Sequence, residues 1–246
     1  MIFMKNIIQQ TREWYKNYYQ EKKDFRNSLL YNPEVLFQLF AFRSSIISAL
    51  KSIGSDSLSN KILDVGCGEG KNIYLFLELG FTPSNIYGVD ILPEKIQVVK
   101  EKLPNINWIC ADASKMKFED NKFDIVFEST MFIQLTNNNL SEKIAEEMIR
   151  VTKSGGYIIL CDWRYSWLGN KNYNALTKKR IIKLFNVGTR MQIYKIYKGA
   201  LIPPIGRFLS KYFSPLYFII SFLFPFLVGQ TVTVLKKINK DKISNI

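Results

Sequence analysis

A chain of 246 residues, 47% hydrophobic and 22% charged, has room for one α/β domain with additions and is too apolar to be disordered. It has no histidine and three cysteines without a C-x-x-C pair, which excludes a Ser-His-Asp triad, argues against a zinc site and fits a reducing compartment. Net charge is +13, yet residues 1–162 hold 19 Lys+Arg against 20 Asp+Glu; residues 163–246 hold 15 Lys+Arg and one acid, Asp241, an imbalance expected to face nucleic acid, a membrane surface or an acidic substrate.

The opening string MIFMKNIIQQTREW is too polar, and its apolar part too short, for a signal peptide, so a cytoplasmic protein is expected. Apolar and aromatic residues recur at helical spacing over 5–53, with Asn32 as cap and Pro33 in a first turn. Residues 1–55 read as a helical cap over the ligand side of the sheet. Trp14, Tyr15, Tyr18 and Tyr19 are candidates for a closing lid or for packing within that cap.

KILDVGCGEG (61–70) is a short apolar strand that stops at Gly66, Gly68 and Gly70, after which 71–79 reads as a helix. Such a turn brings main-chain N–H groups at a helix start close to a ligand. The spacing is G-x-G-x-G, preceded by Asp64. A dinucleotide fingerprint would need glycine where Lys71 stands, and a P-loop would need Ser or Thr where Asn72 stands.

Asn85–Asp90 reads as a second strand ending in an acid 26 positions after Asp64. A carboxylate there suits a ribose diol, with Ile91 packing on a base; the alternative is that Asp90 caps the helix beginning at Pro93. Ile106–Asp112 reads as the third strand and Lys122–Thr130 as the fourth, whose tip carries Glu128, Ser129 and Thr130. A helix through Leu140, Ile144 and Met148 follows, then a fifth strand in Gly155–Ser166 with a dense tip of Asp162, Trp163, Arg164 and Tyr165. Cys67, Cys110 and Cys161 each fall in or at the end of an apolar run and read as buried core.

The string D-V-G-C-G-E-G, with Asp90 and Asp112 in register, closely resembles the first motifs of the class I S-adenosylmethionine (SAM) dependent methyltransferases. The resemblance covers residues 60–162. It implies SAM as cofactor, held by Asp64, Gly66, Cys67, Gly68, Gly70, Asp90, Ile91, Asp112 and Ala113, with the Asp112-Ala113 pair at the adenine and no metal. It implies a doubly wound, Rossmann-like α/β fold, a mostly parallel seven-stranded sheet with its last strand antiparallel, over residues 56–246. The fourth-strand tip has no proline and Cys161 lacks a preceding one, which by this resemblance argues against enzymes of exocyclic base nitrogens and of cytosine carbon, while ribose and some guanine methylators lack such marks. In the absence of histidine, Asp162 and then Glu128 are the candidate general bases, and Arg164 and Tyr165 the candidate acceptor-binding residues.

The last third reads as a helix (174–185), a strand (189–198), a hydrophobic helical insertion (about 199–229) and a final strand, Gln230–Lys237. The apolar core 215–228 falls short of the ~20 residues needed to span a bilayer. Basic residues flank it, so an interfacial patch on an anionic membrane is expected, against core packing or a dimer contact. PPIGRFLSKYFSPLYF and FPFLVGQTVTVLKK resemble methyltransferase-like proteins of bacterial cell-surface polysaccharide pathways. Together these readings imply O-methylation of a small-molecule or lipid-linked glycan acceptor by an enzyme peripheral on the inner membrane face. The alternatives are an RNA methyltransferase and a non-catalytic SAM-binding regulator or partner subunit.

Overall fold

The computed structural model describes residues 32–166 and 172–239, with Gln9, Arg12, Glu13 and Leu29 as isolated positions; the aromatic lid candidates Trp14 to Tyr19 lie outside the described residues. Seven strands form one sheet among these: β1 (Ile62–Val65), β2 (Ile86–Asp90), β3 (Asn107–Cys110), β4 (Phe123–Ser129), β5 (Thr152–Trp163), β6 (Met191–Lys198) and β7 (Gln230–Lys237). Their order is β3-β2-β1-β4-β5-β7-β6. The first five pair in parallel, while β7 is antiparallel to both β5 and β6. The strand order reverses between β1 and β4, which opens a crevice outside their C-terminal ends.

Strand alternation assigns each apolar residue to a layer. Leu63, Val126, Ile158 and Leu160 face α4 (Asn138–Val151) and α5 (Lys178–Leu184). Ile62, Ile125, Phe127 and Ile159 face α1 (Leu36–Ser52), α2 (Lys71–Glu78) and α3 (Pro93–Lys102). The described N-terminal segment therefore differs from a cap over the ligand side. Ile46, Ala49 and Leu50 of α1 join the sheet's core, and the Ser45 hydroxyl donates to the Lys198 carbonyl of β6 at 2.6 Å. Asn32 does not cap with its side chain; its carbonyl accepts the Val35 N–H at 3.1 Å, at the end of a short 3-10 turn, Pro33–Val35. Cys110 is a second correction: it ends the sheet's edge strand and is exposed, whereas Cys67 and Cys161 are buried.

Between β6 and β7 the chain leaves the sheet as α6 (Pro203–Tyr212), α7 (Leu216–Leu223) and a 3-10 turn, Pro225–Leu227. The neck is zipped by main-chain bonds, Ile202 N–H to Leu227 O and Gly229 N–H to Ala200 O, each 2.9 Å. A small core of Ala41, Leu201, Leu209, Tyr217 and Val228 seats the insertion on α1. Tyr217 is fully buried, and its hydroxyl accepts the Leu201 N–H at 3.1 Å. No helix among the described residues is long and apolar enough to cross a membrane.

Candidate active site

The turn after β1 is held against β2: Gly66 N–H and Cys67 N–H both donate to the Val89 carbonyl, at 2.8 and 3.1 Å. Gly66 sits at φ +74°, and a Cβ there would come within 3.0 Å of the Met131 sulfur. Gly70, also left-handed, begins α2 without a side-chain cap; its own N–H donates to the Cys67 carbonyl at 2.8 Å and its carbonyl accepts the Ile73 N–H at 3.0 Å.

Beside this turn lies a cleft open to solvent, lined by apolar side chains with a few polar groups among them. Of the residues expected from sequence, Gly66, Gly68, Asp90, Ile91, Asp112 and Ala113 line it. Asp64, Cys67 and Gly70 lie behind that lining. The lining also holds residues that sequence reasoning missed: Met131, Gln134 and Leu135 after β4, with Leu140 and Ile144 of α4. Thr130 in this segment takes φ 57°, an unusual conformation for a β-branched residue.

Asp90 Oδ2 accepts the Gly68 N–H and Oδ1 the Leu92 N–H, both at 2.9 Å, so its carboxylate fixes the glycine turn to the β2 tip. It does not cap α3, whose N-cap is Leu92 without a side-chain bond. Asp112 Oδ1 accepts the Ser114 N–H at 2.9 Å, while its buried Oδ2 has no hydrogen-bond partner, only the Lys115 ammonium at 3.8 Å. Asp64 is buried, with Oδ2 3.4 Å from the Asn72 amide and Oδ1 unpaired. Burial pushes its pKa up to about 8, opposed by Asn72 and reinforced by Asp90. Asp64 Oδ1 and Asp112 Oδ2 each lack a hydrogen bond, and a donor such as an ammonium or an exocyclic amine would satisfy either.

The carboxylates expected at the acceptor side are placed differently. Glu128 and Asp162 fall on the α4–α5 face and are 0% and 2% exposed. Asp162 Oδ2 accepts the Ile133 N–H at 2.8 Å and Oδ1 accepts its neighbour Trp163 N–H at 2.7 Å, while Glu128 Oε2 accepts the Met131 N–H at 3.2 Å. Burial pushes the Asp162 carboxyl up to about 7 and that of Glu128 well above its ordinary range, Asp162 adding to the latter. Both hold the 131–133 segment from beneath the cleft. Arg180 of α5 staples the same segment: it donates to the carbonyls of Phe132 and Leu135, each at 3.0 Å, and to the Ser141 hydroxyl at 2.9 Å. Nothing in the sequence marks Arg180 among the neighbouring lysines.

Arg164 is likewise engaged. Its Nε donates to Val228 O at 2.6 Å and a terminal nitrogen to Pro225 O at 2.5 Å; the Tyr165 hydroxyl donates to Phe226 O at 3.1 Å. Rather than presenting an open fork to an acceptor anion, the pair clamps the insertion's last turn to the β5 tip. No cluster of three or more metal-ligating side chains forms among the described residues.

A parallel sheet with a glycine turn at its switch point and acids at three successive strand tips defines a nucleoside-cofactor domain. Residues 62–156 match the methyltransferase domain family. Over this stretch, which holds the glycine turn and the acids at three strand tips, the chain is similar to the SAM-dependent methyltransferases. It is 31% identical over 109 residues to the demethylmenaquinone methyltransferase of Renibacterium salmoninarum, covering 44% of each chain. It is 30% identical over 125 residues to an Arabidopsis thaliana tRNA (carboxymethyluridine(34)-5-O)-methyltransferase, covering 50% of this chain and 28% of that one. The chain thus spans less than half the length of these relatives. A SAM-dependent methyltransferase structure from Methanosarcina mazei shares the fold, with TM-score 0.53, 19% identity, and 74% and 93% of the two chains covered.

Proposed function

We propose that this protein transfers the methyl group of SAM to an oxygen of a small-molecule or lipid-linked glycan acceptor at the cytoplasmic face of a membrane. The observation that carries methyl transfer is the cleft itself: the glycine turn with Gly66 and Gly68, Asp90 beside it and Asp112 in its lining, with the buried carboxyl of Asp64 behind the turn. These match the ammonium, ribose and adenine donors of the cofactor. SAM would supply an electrophilic methyl on a sulfonium, so that the S–CH3 bond breaks as the O–CH3 bond forms, neutral S-adenosylhomocysteine leaves, and the acceptor hydroxyl's proton passes to water. Alignment and exclusion of water then supply most of the acceleration. Glu128, Asp162 and Arg180 serve by holding the 131–135 wall in place.

A second reading is RNA methylation, supported by the tRNA-modifying relative and by the basic last third. Labelled methyl transfer from SAM into fractionated lipids, glycans and RNA of the source cell separates the two. Label in the lipid or glycan fraction is the expected result; label confined to RNA refutes the proposal. Calorimetry should show binding of S-adenosylhomocysteine and none of NADH.

A further inference from the structure

α7 is built inside out. Its buried positions are Tyr217 and Ser221, a pair on one face, whereas Phe218, Ile219, Phe222 and Leu223 are 48 to 75% exposed. Phe226, in the following turn, is 63% exposed. A helix of a water-soluble surface turns its apolar stripe inward and its polar residues out, and here the order is reversed. In the preceding segment Phe208 and Phe213, with ring centroids 5.9 Å apart, are also more than half exposed.

Cations rim this face. Lys198 Nζ lies 5.5 Å from the Phe222 ring, and Lys211 Nζ lies 5.1 Å from the Tyr212 ring. Residues 172–239 contain no acid at all. At eight residues, α7 is about 12 Å long, too short to cross a bilayer core of about 30 Å but suited to lying in the headgroup boundary. A second copy of the chain is a poor occupant, since a twofold contact would set the lysine rim against itself. RNA would satisfy the charge and stack on the rings, but it leaves Ile219 and Leu223 in water.

Resting on the proposed membrane-held acceptor, we infer that α6, α7 and the Pro225–Leu227 turn form an interfacial anchor for an anionic lipid bilayer. Arg164 and Tyr165 tie that anchor to the tip of β5. Because β5 pairs with β4, whose end lines the cleft, the anchor sets the edge of the sheet that carries the cofactor against the lipid surface.

The test is flotation of the full chain with phosphatidylcholine vesicles, with and without phosphatidylglycerol, beside calorimetry with S-adenosylhomocysteine. Wild type should float with the anionic vesicles at low salt and progressively less as salt rises. Each phenylalanine removed from the lipid should weaken binding about tenfold. The triple change Phe218→Ser, Phe222→Ser, Phe226→Ser should therefore abolish flotation while S-adenosylhomocysteine binding, which checks the fold, stays within error. Lys198→Gln and Lys211→Gln should each weaken flotation about fivefold, and only on anionic vesicles. Wild type that does not float, or a triple variant that floats like wild type, overturns the inference. So does a wild-type dimer that the triple variant dissolves without any vesicle binding. Loss of cofactor binding in wild type would instead refute the methyltransferase reading and leave the flotation result standing.

Discussion

Replacing Asp64 with Asn tests whether the cofactor's ammonium meets a carboxyl that must first give up its proton. Burial pushes the Asp64 pKa up to about 8, so at pH 7 the group is about nine-tenths protonated. Cofactor binding that needs the charged form must expel that proton, at a cost of about 1.4 kcal/mol at pH 7 and about 2.7 kcal/mol at pH 6. The dissociation constant of S-adenosylhomocysteine should therefore fall about fiftyfold between pH 6 and pH 8. Calorimetry at pH 7 in buffers of differing ionisation enthalpy should register release of about 0.9 proton. Asp64→Asn cannot ionise, so its affinity should be flat over this range, and at pH 8 weaker than wild type by about 1.5 to 3 kcal/mol, the worth of a hydrogen bond to a charged group. The same shift governs the stability of the free protein. The folded chain keeps a proton that the unfolded chain releases above about pH 4, so Asp64's contribution to stability declines as pH rises from there toward 8. Wild-type affinity that is constant with pH, or an Asp64→Asn variant with the wild-type slope, refutes the reasoning.

Asp90→Ala should weaken S-adenosylhomocysteine binding by about 1.5 to 3 kcal/mol in calorimetry, because the Gly68 and Leu92 N–H groups lose their shared acceptor and, on the proposed cofactor placement, a ribose hydroxyl loses its own. An unchanged affinity would remove Asp90 from the site. Arg180→Gln should lower unfolding free energy in urea by about 2 to 3 kcal/mol, since it leaves the Phe132, Leu135 and Asn174 carbonyls without their donor. A loss below about 1 kcal/mol would show that Arg180 is an ordinary surface contact.

The sheet was legible because apolar runs, glycine punctuation and acids at strand tips are local signals. Gln230–Lys237 is both the expected and the observed last strand, and the cleft lining includes six of the residues expected there. What failed was direction. Asp162 was placed at the acceptor side because it ends a strand, yet alternation along β5 puts it on the face of Ile158 and Leu160, toward α4 and α5. That parity was available in the sequence and would have pointed to a buried carboxyl. Arg164, Tyr165 and Arg180 were not recoverable in this way. Their partners lie as far as 64 residues away along the chain, and the contacts exist only once the insertion and α5 have docked.

The insertion shows the same limit in sharper form. An apolar run with basic flanks is compatible with a core helix and with an interfacial one, and mean hydropathy cannot separate them because it ignores which side is covered. Tyr217 and Ser221 are the covered side, and they are so only through their surroundings. Leu201 supplies an N–H to the Tyr217 hydroxyl at 3.1 Å, and the ring packs in the small core with Ala41, Leu209 and Val228. This polar pair thereby becomes the inward face, and the phenylalanines are left outside. Seating a tyrosine hydroxyl on a main-chain donor allows the helix to dock without using its apolar stripe. The stripe is then free for a partner, and the lysines around it favour an anionic one.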